Sequence, residues 1–154
     1  MPVEGNIYAY TRETTTKRFA AHIEGPTSAF FLVVAEKGLG KASQEALDKS
    51  ARALGWNEGA TFAWIQDDEG NTLSQADLFE VVEGLDPLCV VLVSKPVREL
   101  AMASFRCDIP ALGRFRLFGR EACAFDNLES LLASDTGKQT AWALLRALPR
   151  SAEQ

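Results

Sequence analysis

Ala29-Phe30-Phe31-Leu32-Val33-Val34-Ala35 and Leu88-Cys89-Val90-Val91-Leu92-Val93 decide how this chain folds. Each run is apolar throughout rather than alternating, the pattern of a strand covered on both faces. Each also leads through a turn into a helical pattern. After the first run come Gly38-Leu39-Gly40-Lys41 and a stretch in which Leu47, Ala51 and Leu54 keep one helical face; after the second come Ser94-Lys95-Pro96 and the inward face Val97, Leu100, Ala101 and Phe105. Ser28 to Gly55 and Leu85 to Phe105 are thus two copies of one strand-to-helix unit. The expected fold is α/β, a three-layer αβα sandwich around a central, mostly parallel sheet. A single domain spans residues 1–154, with a frayed tail over residues 150–154.

Around these units the local signals are clear. Asn6 to Arg12 and Arg18 to Ile23 read as two short strands joined by Thr14-Thr15-Thr16, with Tyr8 and Tyr10 on one face. Ser43 is the expected N-cap of the first helix and Gly55 its left-handed stop. Ala60 to Gln66 reads as a strand and Asp67-Asp68-Glu69-Gly70-Asn71 as a turn. Ser74 caps the next helix with Asp77 three residues on, in the place of a capping box; Leu78, Phe79 and Val82 form its apolar stripe and Gly84 its end. Pro96 fits the first turn of the helix that follows. Arg114 to Phe118 alternates charged and apolar residues, as an exposed or edge strand does. Helices follow from Leu128 to Ala133 and, capped by Asp135, along an apolar stripe that includes Ala141, Trp142, Leu145 and Leu148.

Composition sets outer limits. The chain has 154 residues, 47% of them hydrophobic, enough for a core of its own. No apolar stretch approaches the ~20 residues of a membrane span, and Met1-Pro2-Val3-Glu4-Gly5 lacks the features of a signal peptide, so the expected location is cytoplasmic. Cys89, Cys107 and Cys123 are odd in number and widely spaced, and His22 is the single histidine, so neither a disulfide framework nor a zinc site is expected. No metal or cofactor is called for. The net charge is −5, against a general attraction to nucleic acid. Yet charge is segregated. Trp56 to Asp86 holds eight acids and no Lys or Arg, whereas Lys95 to Arg120 holds six bases against Glu99 and Asp108. Such polarity suits a protein partner or self-association.

Few groups in the sequence point to chemistry. Gly38, Gly40 and Lys41 lie between strand and helix, where backbone N–H groups attract anions. The phosphate-loop pattern fails, because its first glycine falls on Ala35 and its Ser/Thr on Ala42. Asp67-Asp68-Glu69 offers carboxylates for Mg²⁺, but with Gly70-Asn71 it is first a polar turn. There is no G-x-S-x-G, and His22 has no evident partner. Trp56, Trp64 and Trp142 offer stacking surfaces, although Trp142 belongs to an apolar stripe.

The order of these elements, the segment Leu85-Asp86-Pro87-Leu88-Cys89-Val90-Val91-Leu92-Val93, and the late pattern from Lys138 through Trp142 to Leu145 resemble the uracil-DNA glycosylase superfamily over residues 6–148. Within it the chain is most similar to a non-catalytic branch, the psi subunit of the DNA polymerase III clamp loader. Active members of the superfamily place a Gly-Glu-Ala-Pro-Gly-like loop after the first strand and a His-Pro-Ser loop after the last. Here those places read Val34-Ala35-Glu36-Lys37-Gly38 and Gly119-Arg120-Glu121-Ala122-Cys123-Ala124-Phe125. Glu36 is the sole acid near the first, and Phe125 the sole aromatic on the second for stacking a flipped base. The resemblance implies the fold without the catalytic residues.

Two functions follow as expectations. The first is a non-enzymatic α/β domain that acts through protein contacts. The alternative is a nucleotide- or nucleic-acid-binding protein, a degenerate glycosylase-like enzyme included. It would use Gly38, Gly40 and Lys41 with Arg114, Arg116 and Arg120 on phosphates; Arg114 and Arg116 share a strand face by their spacing.

Overall fold

The computed structural model describes residues 4–151, with side chains from Thr11 onward. In chain order its elements are α1 (Glu4–Arg18), β1 (Ile23–Glu24), β2 (Phe31–Ala35), α2 (Lys41–Ala53), β3 (Thr61–Trp64), α3 (Gln75–Leu85), β4 (Cys89–Leu92), α4 (Lys95–Phe105), β5 (Leu112–Leu117), β6 (Arg120–Phe125), α5 (Leu128–Leu132) and α6 (Asp135–Leu145). The strands form one mixed sheet in the order β1-β3-β2-β4-β6-β5. Its four inner strands run parallel, and β1 and β5 pair antiparallel at the two edges.

The two continuous apolar runs lie side by side at the centre, with Val33 of β2 opposite Val91 of β4. Alternate residues of each strand feed separate cores. Leu32, Val34, Val90 and Leu92 pack with Leu78, Val82 and Leu85 of α3 and with Val97, Ala101 and Phe105 of α4. Phe31, Val33, Cys89 and Val91 pack with Leu47, Ala51 and Leu54 of α2 and with Leu128, Ala141 and Leu145 of α5 and α6. That double coverage is why the runs do not alternate. Burying a Val or Leu side chain this fully contributes roughly 1.5–3 kcal/mol.

Helix ends follow local chemistry. Ser74 and Asp77 form a reciprocal capping box at the start of α3. Gly55 takes φ +92° just past α2, and Pro96 sits in the first turn of α4.

Several expectations are corrected. The two strands read over Asn6–Arg12 and Arg18–Ile23 do not form. Glu4–Arg18 is helical, Thr14–Thr16 lie inside the helix, and the only strand there is the two-residue β1. The reason lies on α3, where Gly84 leaves the space that buried Thr15 occupies; a Cβ at Gly84 would overlap the threonine side chain. Arg12 Nε also donates to the Leu85 carbonyl at 3.2 Å, and Arg18 pairs with Glu80. The threonines' weak helical preference yields to this docking. Gly84 lies at the end of α3, as read from the sequence, one residue before its last.

Ser43 is not the N-cap of α2. The helix begins two residues earlier, behind Gly40, and Ser43 is buried. Asp135 is the first residue of α6, capped by the Ser134 hydroxyl at 3.0 Å from Gly137 N. Gly119–Phe125 is no terminal loop: Arg120–Phe125 is β6, an inner strand between β4 and β5. Ser151 N donates to the Leu54 carbonyl at 2.9 Å. Residues 1–3 and 152–154, and so the signal-peptide reading and the last of the tail, lie outside the described residues.

Candidate functional site

From β2 the chain turns onto the face that α2 covers, and from β4 onto the opposite face, where α4 lies. Adjacent strands that part in this way open a crevice at their carboxyl ends, the usual ligand position of an α/β sheet. A cleft of about 680 Å³ occupies that point. Its walls come from the turns after β2, β3, β4 and β6, and include Glu36, Gly38, Asp67, Ser94, Asp126 and Glu129.

The cleft is acidic, and all but one of its carboxylates are already engaged. Glu129 accepts from the Gly40 N–H at 3.0 Å, so the N-terminus of α2 holds an anion that belongs to the chain. Asp126 accepts from Arg98 Nε at 2.9 Å, and Asp68 pairs with Lys37. Asp67 accepts from Glu69 N, Asn71 N and Asn71 Nδ2 at 2.9, 2.8 and 3.0 Å. The hydrogen bond from the Asn71 side chain leads in holding its carboxyl below the usual value, with the two backbone N–H groups adding to it against the cost of burial. Glu36 alone among these carboxylates makes no hydrogen bond or ion pair among the described residues. Ser94 Oγ is buried with no partner among the described residues.

His22 gains neighbours that its sequence position does not show. Its Nδ1 lies 2.7 Å from the Trp64 carbonyl and therefore donates to it, while Nε2 faces Asp67 Oδ2 at 3.9 Å. The imidazole is buried and ties β1 to the end of β3. Asp67-Asp68-Glu69 does not converge on a point. No group of three or more His, Cys, Asp or Glu among the described residues is placed to hold a metal ion.

The proposed anion site is not assembled. Gly38 lines the cleft, Gly40 is held by Glu129, and Lys41 is exposed on α2 without an ion pair among the described residues. Arg114 and Arg116 lie on β5, separated from β2 by β4 and β6. They share one exposed face, as their spacing requires. Arg116 Nε bonds Glu121 at 2.8 Å, and Arg114 makes no hydrogen bond or ion pair among the described residues. Arg120 points elsewhere. Its side chain is only 11% exposed and holds Glu83 at 2.6 Å and Asp86 at 2.8 Å. The segregated charge of the sequence therefore closes in part upon itself, tying β6 to α3.

The aromatic and sulfur groups are largely interior. Trp56 is buried, stacks near Phe30 and donates to the Pro149 carbonyl at 3.0 Å. Phe125, the one stacking candidate of its segment, is fully buried. Trp142, expected inside, instead stands at the surface as one wall of a groove between α2, α5 and α6. All three thiols are free. Burial pushes Cys89 up to about 12, and raises Cys123 and Cys107 as well, so none is a ready thiolate nucleophile.

A second surface differs from the cleft in having its backbone unpaired among the described residues. β5 has six residues and, among the described residues, pairs only with β6 and leaves its other edge unpaired. Leu112 is 49% exposed at its start, and Phe118 is 58% exposed in the turn beyond it. Phe118 takes φ +50°, uncommon for a bulky residue, and its ring meets Phe79 and Phe105 edge-on. The alternation from Arg114 to Phe118 marked this strand in the sequence, though not its start at Leu112. Nothing local marked Glu129, whose partner Gly40 is 89 residues away.

No protein-family model and no curated protein matches this chain. Geometry alone therefore bears on its function.

Proposed function

We propose that this chain is a non-enzymatic α/β domain that works by contact with another protein, and that β5 is the contacting element. The open six-residue edge with an exposed apolar side chain at each end carries this reading. A long unpaired edge offers main-chain donors and acceptors to a second chain. The sandwich architecture resembling the non-catalytic branch of the uracil-DNA glycosylase superfamily is part of the same proposal; helices on both faces of a sheet with four parallel inner strands support it.

The alternative, binding of nucleotides or nucleic acid, finds less support. Five carboxylates against Lys37 line the cleft, and Glu129 occupies the helix N-terminus that a phosphate would seek.

A photo-crosslinking residue in place of Leu112, compared in living cells with one in place of exposed Lys49 on α2, tests the proposal. A discrete protein adduct from position 112 and none from position 49 is expected. No adduct at 112, or the same adducts from both positions, would overturn it.

A further inference from the structure

The chemistry of β5 narrows what pairs with it, an inference that rests on β5 being the contact edge. Leu112, Arg114 and Arg116 stand on one face of the strand, and Gly113, Phe115 and Leu117 on the other. The first face is open: both arginines and Leu112 are exposed. The second is lined by half-buried Phe115, which packs on the core beneath α3 and α4, and by buried Leu117. A strand laid along this edge meets positive charge on one face and apolar surface on the other.

A second copy of the chain fits poorly. Two antiparallel copies of β5 related by a two-fold axis keep their faces in common. Centred on Arg114, they set that residue against itself; centred on Phe115, they set Arg114 against Arg116. Like charges directly opposite destabilise a pair of strands. The same arginines that disfavour these two registers favour a strand with carboxylates in those places. Arg116 is available for the exchange, because its ion pair with Glu121 is a surface pair, 75% exposed on the arginine side. Arg114 has no ion pair to break among the described residues.

We infer that β5 captures an extended segment of a partner protein in which acidic and apolar residues alternate. Its acids face Arg114 and Arg116, and its apolar side chains continue the surface of Phe115. Main-chain hydrogen bonds hold the segment, and the arginines select it.

The test uses the full chain and two short blocked peptides, one of alternating Glu and Val and one of alternating Lys and Val. Binding is followed by fluorescence anisotropy at low and physiological salt and by backbone amide shifts. The acidic peptide is expected to saturate, to shift amides of β5 and β6 first, and to weaken with salt. The double variant Arg114→Glu/Arg116→Glu is expected to lose about tenfold in affinity for it, and to gain affinity for the basic peptide. The neutral pair Arg114→Gln/Arg116→Gln is expected to fall between, which separates lost charge from lost fold. Equal binding of both peptides, shifts that spare β5, or single-stranded DNA outcompeting the acidic peptide at the arginines would each overturn the inference. If position 112 still crosslinks to a protein while the acidic peptide fails, only this inference falls. If both fail, the contact proposal falls with it.

Discussion

The cleft at the ends of β2 and β4 and the open edge of β5 divide the polar surface between them in opposite ways. In the cleft nearly every charged group is answered from within: Glu129 by Gly40, Asp126 by Arg98, Asp68 by Lys37, Asp67 by Asn71. On β5 the backbone edge is unpaired, Arg114 is unanswered among the described residues, and Leu112 and Phe118 face solvent. The position that an α/β sheet ordinarily offers to ligands is thus a cleft whose carboxylates, Glu36 apart, are bonded within the chain. A position ordinarily guarded against contact is left open. Fold alone would have pointed to the first; the placement of side chains points to the second.

Arginines expose the contrast most sharply. Arg120 and Arg116 are four residues apart in sequence, one nearly buried between two acids, the other on the surface. Arg120→Ala is expected to cost roughly 2–3 kcal/mol in urea unfolding, because it strips two carboxylates of a charged hydrogen-bond partner at the junction of β6 and α3. A loss no larger than that of a surface arginine would erase the distinction.

Glu129→Ala should cost about 1 kcal/mol, the value of an anion on a helix N-terminus and its backbone hydrogen bond. It should also raise affinity for inorganic phosphate at low salt above that of the native chain. Native protein that binds phosphate as well as the variant would show that Glu129 does not hold off anions there.

A smaller effect is expected from acid. The Asp67 carboxyl titrates below its usual 3.8 in the fold. The unfolded chain therefore binds more protons than the folded one between these values. The stabilisation is complete above 3.8 and is lost as pH falls through the lower, folded value. Asp67→Asn should flatten the fall of stability with acid in that window, read as the slope of thermal midpoint against pH. An unchanged slope would remove Asp67 from the internal bonding of the cleft.

The smallest expected change is on β5 itself. Arg114→Gln/Arg116→Gln, which sets no like charge against Glu121, should move unfolding free energy by no more than about 0.5 kcal/mol, as exposed substitutions do, even while it weakens what binds. A large loss of stability would mean that these arginines serve the fold rather than a partner.

The alternation around Arg114 and Arg116 was visible in the sequence because a strand places every second residue on one face whatever surrounds it. The same period misled at the N-terminus. Tyr8, Tyr10 and the threonines suggested strands, while the helix they form depends on Gly84 of α3, far along the chain, making room for Thr15. Gly119–Phe125 was misplaced for a related reason: Arg120 and Glu121 break an otherwise apolar strand, and their partners Glu83, Asp86 and Arg116 come from other elements.

By itself the sequence determined the class of fold and the two central strands, because continuous apolar runs can be satisfied only by cover on both faces. It determined the capping box of α3 and the edge character of β5 as well, since both rest on neighbours within a few residues. Tertiary structure alone decided that α1 is a helix, that β6 lies inside the sheet, that Trp142 stands at the surface, and that Glu129 fills the anion position of Gly40. Each of these depends on a contact between residues distant in sequence, and no local period encodes such a contact.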